Sequence, residues 1–398
     1  MPKADENEVI DLSHLTVQRD GEHYTIGDPD IPRFIRVPEP AVFIVELADG
    51  TRKVAEIKRR IAEEKGLDLD VADFASDLAE LGLLGQSSHD ADRPRPKKRE
   101  ILATRIGAAL FRSHAKWAYL LALAAVIGMV LNDRDLFPSY RDMFVLPVIG
   151  TNSLLVSATA CLLIFLHECA HLLAAYGAGV SARMRLNIRF VFVVAETDMT
   201  GLWGKQKSAR YFPYLAGMAW DTAVLLAVML AQSVLPEGGF AHAMARLVAL
   251  LLLLGLLSQF MVFLRTDVYY VIGNAAHSAD LAGSGRLFLR KLWRRDEAAR
   301  AGWASLPRSE RTAGRWFAAA YFAGIGTVAC LFVVYSIPAG YYAITQAVDQ
   351  VTRGSLDGPF WDGAVLLSLA ALRLALYVIG AGTALKDRRN RKRAFRKA

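Results

Sequence analysis

The chain has 398 residues, 54% of them hydrophobic and 22% charged, with a formal net charge of +8 and a mean hydropathy of +0.26. Soluble domains average roughly 45–50% apolar, and here the excess gathers in stretches about as long as the roughly 20 residues a helix needs to cross hydrocarbon, which excludes an ordinary soluble protein. The positive charge is equally localised. Eight Lys/Arg and one Asp lie between Lys386 and Lys397, directly behind an apolar stretch, so the excess reads as a lipid-facing topology anchor and no nucleic-acid partner is expected.

Three cysteines, Cys161, Cys169 and Cys330, all lie inside apolar stretches and support neither a disulfide framework nor a cysteine-rich zinc knuckle. The N-terminus MPKADENEVIDLSHL has no apolar core, so no secretory signal peptide is expected.

Residues 1–85 are expected to form a small soluble domain. Segments His23–Ile26, Phe34–Val37 and Val42–Glu46 have short strand character. After the turn Ala48-Asp49-Gly50, Thr51 is the expected N-cap of a helix through Glu64. A second helix over Val71–Leu81 carries Val71, Phe74, Leu78 and Leu81 on one face of a 3.6-residue period. Strands followed by short helices suggest an α+β winged-helix-like module. Residues 86–115, polar and Pro-containing in their first half, form a basic linker.

Residues 116–385 hold six expected spans, at 116–132, 151–176, 212–235, 242–264, 317–338 and 361–385, before a basic tail at 386–398. The fold class is therefore mainly α, a polytopic membrane protein with six transmembrane helices and a small N-terminal domain. Charge between the spans alternates without a break. Residues 90–116, 177–211 and 265–315 carry net charges of +5, +4 and +5, whereas 132–144, 235–241 and 339–360 carry −1 each. With a strongly positive tail, that pattern fits both termini in the cytoplasm.

The second span reads LLIFLHECAHLLAAYG, which contains His167-Glu168-Cys169-Ala170-His171. Four residues is close to one helical turn, so His167 and His171 share a face where two imidazoles can hold one Zn²⁺. Glu168 stands beside them as a base for metal-bound water. Three ionisable groups inside an apolar helix are costly and mark a functional site. A catalytic zinc also needs a third protein ligand. Asp267 at the end of the fourth span is favoured by spacing, with Asp221 as an intramembrane polar partner and Glu196, Asp198 and His277 as further candidates. The β-branched and aromatic stretch Arg185–Val194 is a candidate strand hairpin at membrane depth, either a platform for extended substrate or a packing segment.

These residues in this order resemble the site-2 protease class of intramembrane metalloproteases, and one bacterial branch of it, the peptide zinc metalloproteases, in particular. ETDMTGLWGKQKSARYFPYLAGM stands in place of the branch's V-D-T/S-x-D-x-W and L-A-G-P loop, and Thr266-Asp267-Val268-Tyr269-Tyr270 in place of its F/L-D-G-Y-Y. Val268 departs from the family glycine and Met218 from the family proline. IPRFIRVPEPAVFIVELADGTRKVAEI and FASDLAELGLL resemble PqqD-like domains, which bind leader peptides.

The resemblance implies a zinc metalloendopeptidase of the bacterial inner membrane with His167, His171 and Asp267 as zinc ligands and Glu168 as catalytic base. Asp221 would be a substrate or oxyanion contact. The substrate would be a peptide precursor or membrane-associated protein, in maturation of a ribosomally made modified peptide whose leader binds residues 1–85. The alternative is a peptide exporter or immunity protein that moves such a peptide without cutting it, which has no need of Glu168.

Overall fold

The computed structural model describes residues 5–84 and 98–375, apart from residues 22, 29–32, 113, 190–191, 279, 295–296, 354–355, 357, 369 and 373. It is mainly helical, with a small sheet region near the N-terminus.

Strand β1 (Val9–Asp11) pairs antiparallel with β5 (Asp49–Lys53), and β2 (Thr16–Asp20), β3 (His23–Asp28) and β4 (Arg33–Val37) form an antiparallel meander. In that meander Ile26 lies opposite both Val17 and Ile35. Two of the expected strands are present. The third is not, because Val42–Glu46 lies within helix α1 (Glu39–Leu47). Pro40 in the first turn suits a helix start, and Ala41, Val42, Ile44 and Val45 are all buried. A short apolar run buried on most sides reads alike as strand or helix.

Thr51 does not cap a helix either. It sits in β5 with its hydroxyl bonded to the Asp49 carboxylate, and α2 (Val54–Lys65) starts three residues later. Helix α3 (Val71–Glu80) agrees with expectation, its first turn capped by Asp70, which accepts from the Asp73 N–H at 3.0 Å. Ile10, Leu12, Ile26, Ile57, Ile61, Val71 and Leu78 form the core beneath these elements.

The first part of the expected linker, residues 85–97, lies outside the described residues. Its second part is helix α4 (Lys98–Leu110), which crosses the second span with almost no separation. A Cβ on Gly107 would lie 1.8 Å from the Leu173 carbonyl oxygen, and one on Gly177 would lie 2.6 Å from the Gly107 carbonyl carbon. Paired glycines let two helix backbones touch. The basic stretch is thus a packed helix over its second half.

Among the described residues, five helical stretches are long and apolar enough to cross a membrane, the pattern of a multi-pass membrane protein. They are α5 (Ala115–Asn132), α6 (Ile149–Gly177), α7 (Lys207–Gln232), α8 (Phe240–Ser258) and the continuous stretch Arg308–Thr352. Between α8 and that last stretch come three short helices, α9 (Asp267–Ala275), α10 (Leu281–Arg294) and α11 (Glu297–Ser305).

Arg308–Thr352 comprises α12 (Arg308–Leu331), a π-helical turn at Phe332–Ser336 and α13 (Ile337–Thr352). The expected loop at 339–360 is thus helical as far as Thr352. Pro338 lacks an amide proton and would clash with the preceding turn, and the wider π turn just before it accommodates both. The expected sixth span is described only as α14 (Gly358–Leu372), which is shorter than a crossing. The rest of 361–385 and the tail 386–398 lie largely outside the described residues.

The chain divides into two compact units. The first holds Met1–Ile127, Leu163–Val224 and Gly255–Thr327, and therefore every candidate site residue. The second holds Gly128–Leu162, Leu225–Leu254 and the described part of Val328–Ala398. Within it Arg246 grips both carboxylate oxygens of Asp142, at 2.6 and 3.1 Å. Asp362 accepts from the backbone N–H groups of Gly150 and Thr151, the orphan donors at the start of α6.

Candidate metal centre

His167 and His171 are both buried on α6. Opposite them α7 presents Pro213, Gly217 and Asp221, spaced by four and therefore aligned along one face. The two helices interlock through that stripe. His171 Nδ1 donates to the Pro213 carbonyl oxygen at 2.9 Å, and His167 Nδ1 donates to Asp221 Oδ2 at 2.7 Å. With each Nδ1–H so engaged, both Nε2 lone pairs point into the space between.

Asp267 enters that space as the first residue of α9. Its position is set from below: its N–H donates to Gln259 Oε1 at 3.0 Å, and the Thr266 hydroxyl donates to the Gln259 carbonyl oxygen. Asp267 Oδ2 lies 3.3 Å from His167 Nε2 and 3.1 Å from His171 Nε2, and the two Nε2 atoms are 3.2 Å apart. A tetrahedral ion with bonds of about 2.0–2.1 Å holds its ligands about 3.3 Å from one another. The three donor atoms thus have the mutual spacing that ligands of one such ion would have.

Gly217 leaves the volume that an ion needs. A Cβ there would fall 2.3 Å from His167 Nε2 and 2.5 Å from His171 Nε2, in the space on which the ligand atoms converge. Two nitrogens, one carboxylate oxygen and a cleared volume fit a divalent metal ion.

Glu168, one residue after the first histidine, is held by the hairpin β6 (Arg183–Arg189) and β7 (Phe192–Asp198). The Thr197 hydroxyl on β7 lies 2.8 Å from Glu168 Oε2 and 3.1 Å from the Glu168 carbonyl oxygen, within donating reach of both. The hairpin expected from Arg185–Val194 is therefore present and anchored on the acidic residue of the motif.

The other acidic candidates lie apart from the cluster. Asp198 accepts from the Thr200 N–H and hydroxyl and pairs with Arg185, while Glu196 stands opposite Arg185 in the hairpin register. Asp221 sits on the Nδ1 side of His167, hydrogen-bonded to the imidazole and turned away from the converging Nε2 atoms. Val268, where the resemblance leads one to expect glycine, is an ordinary residue of the first turn of α9. It packs against the core of Val262, Leu281, Ala313 and Phe317, so no glycine conformation is needed there.

His277 serves elsewhere. It adopts a left-handed backbone (φ 52°) just past α9 and donates from Nδ1 to Asp20 Oδ1 at 2.8 Å, while Lys207 bonds its Nε2. Asp20, at the end of β2, also meets Arg36 and the fully buried Arg210, each at 3.4 Å. Burial alone would raise the Asp20 carboxyl; the His277 hydrogen bond and the two guanidinium groups outweigh it and hold the group below the usual carboxylate range. This cluster ties the N-terminal strands to the first turn of α7 and to the end of α9, the two helices that face the His167–His171 pair.

Thr197, Pro213, Gly217 and Gln259 belong to the site and were not singled out from the sequence. The four-residue spacing Pro213–Gly217–Asp221, opposite a four-residue His pair, was the available signal. No protein-family model, curated protein or solved structure matches the chain, so its own side-chain geometry carries the functional argument.

Proposed function

We propose that the chain is an intramembrane zinc metalloprotease of the site-2 protease class, with His167, His171 and Asp267 as zinc ligands and Glu168 as general base. The observation that carries the reading is the convergence of the three donor atoms at 3.1–3.3 Å beside an acid that Thr197 holds in place. Bound zinc would lower the pKa of its water and polarise the scissile carbonyl. Glu168 accepts the proton of the attacking water and returns it to the leaving amine, so the C–N bond gives way to a carboxylate and an amine. Asp221 and the Pro213 carbonyl keep both imidazoles in the ligating tautomer.

The hairpin supplies a place for substrate. β7 pairs with β6 along one edge, and its other edge can take an extended segment through backbone hydrogen bonds, next to Glu168. The N-terminal module serves in this proposal as a winged-helix, PqqD-like domain that captures a peptide, with a leader peptide as its ligand. The orientation with both termini cytoplasmic rests on the alternation of loop charge, and the bacterial inner membrane on the resemblance to the site-2 protease class alone.

The test is cleavage of a candidate precursor by wild-type protein and by Glu168→Gln, with zinc measured in both. Product from the wild type alone, at equal zinc content, is the expected result. Equal product from both proteins sinks the protease assignment, and unchanged peptide export by Glu168→Gln favours a transport role.

A further inference from the structure

Helix α10 has two unlike faces. Leu281, Ser284 and Gly285 are buried, and a Cβ on Gly285 would lie 2.1 Å from the ring of Phe317 on α12. Ser284 also donates to the buried Glu310 at 2.7 Å. These contacts fix α10 along the start of the last long apolar stretch. The opposite stripe, Arg286, Leu289, Arg290 and Trp293, follows the i, i+3, i+4, i+7 spacing of one helical face.

Together with Tyr321 of α12, that stripe lines a cavity of about 570 Å³. Trp293 is 73% exposed and the neighbouring Leu292 is 63% exposed, and the Trp293 ring lies 6.3 Å from Phe322, itself 46% exposed on α12. Such apolar exposure beside a span suits a surface that lipid covers.

We propose that this cavity binds the phosphate of an anionic phospholipid. Arg286 and Arg290 are one turn apart, about 6 Å along the axis, a spacing at which two guanidinium groups can share one phosphate between them. Trp293 and Tyr321 have the apolar body and polar tip that favour the headgroup level, and Phe322 and Leu292 continue the surface toward the acyl chains. A soluble phosphate would use the two arginines and leave Trp293 and Leu292 uncovered, so the occupant is lipid. The proposal is independent of any peptidase activity.

The test uses the full chain in vesicles of equal parts phosphatidylglycerol and phosphatidylcholine, extracted in mild detergent and weighed with its retained lipid by native mass spectrometry. Wild-type protein is expected to retain phosphatidylglycerol in preference to phosphatidylcholine. Arg286→Gln with Arg290→Gln lowers that retention about thirtyfold, as expected for two basic groups at a lipid surface. Arg59→Gln with Arg60→Gln removes the same charge from the exposed side of α2 and leaves retention unchanged.

Equal retention of the two lipids, no loss in the Arg286/Arg290 pair, or full displacement by millimolar inorganic phosphate would overturn the proposal. Should the glutamine pair not fold, tryptophan quenching replaces it. Brominated phosphatidylglycerol quenches wild type more than Trp293→Phe, and equal quenching of the two proteins overturns the site.

Discussion

Gly217 faces His167 so closely that a single methyl group on the glycine would fall 2.3 Å from Nε2 of the imidazole. An interior helical glycine costs about 1 kcal/mol relative to alanine, so its presence in α7 is explained by the space it leaves. Gly217→Ala is therefore expected to abolish zinc binding, with metal content falling from one ion per chain toward none. Elemental analysis of purified protein checks this, and helix content measured by circular dichroism should stay at the wild-type level.

Asp221 acts through His167. Asp221→Asn replaces a charged acceptor with a neutral one, and an amide N–H turned toward Nδ1 favours the other tautomer. Loss of such an outer partner typically weakens metal affinity about 10–100-fold. Competition with a chelator of known affinity measures it, and unchanged affinity would remove Asp221 from the centre.

Thr197→Val keeps the shape of the β7 residue and removes the hydroxyl that bonds Glu168. A fall of about tenfold in kcat is expected for a mispositioned base, with KM and zinc content unchanged. A rise in KM alone would instead assign Thr197 to substrate binding.

The Asp20 cluster predicts a pH dependence. Its carboxyl is held below the usual range in the folded protein, so it contributes stability that is present above its unfolded pKa of about 3.9. That contribution is lost as pH falls below this value toward the folded pKa. Removing one partner of a buried ion pair costs about 3–5 kcal/mol because the other charge stays buried, and Arg210 is 1% exposed. Asp20→Asn should lower stability by that order at pH 7 and flatten the acid limb of the stability curve. Denaturant unfolding across pH 3–7 (a range of about four units, spanning the carboxylate region) checks both.

Val268→Gly restores the glycine that the resemblance suggests and should weaken the protein. It places glycine in the first turn of α9, at about 1 kcal/mol, and removes a partly buried side chain worth about 1–2 kcal/mol. Zinc content should not change, because Asp267 is positioned by Gln259 and the start of α9.

The sequence made the candidate site legible where polar residues break an apolar run. His167, Glu168 and His171 stand out in α6 for that reason, and Asp267 at the end of a span follows from the need for a third ligand. Pro213, Gly217 and Gln259 do not, since two act through a carbonyl oxygen or an empty volume and the third through a neighbour's backbone. In the N-terminal domain, α3 shows a clean period and a capping Asp70, whereas α1 is buried on too many sides to declare a period. The helical run through Pro338 was illegible because proline normally ends a helix, and only the π turn before it allows continuation. Asp20 and His277, 257 residues apart, carry no local pattern that links them.

Helix α9 is nine residues long, carries Asp267 at its first position and is followed at once by His277. In biosynthesis the N-terminal domain emerges first, and the His167–His171 pair follows well before either partner exists. Asp267, the third donor of the candidate centre, comes 96 residues after His171, and the histidine that clasps Asp20 comes ten residues later still. One short helix and the turn behind it therefore supply the last member of both the donor cluster and the clasp at nearly the same moment of synthesis. A nascent chain that ends before α9 has two of the three converging donor atoms and lacks the His277 contact to Asp20.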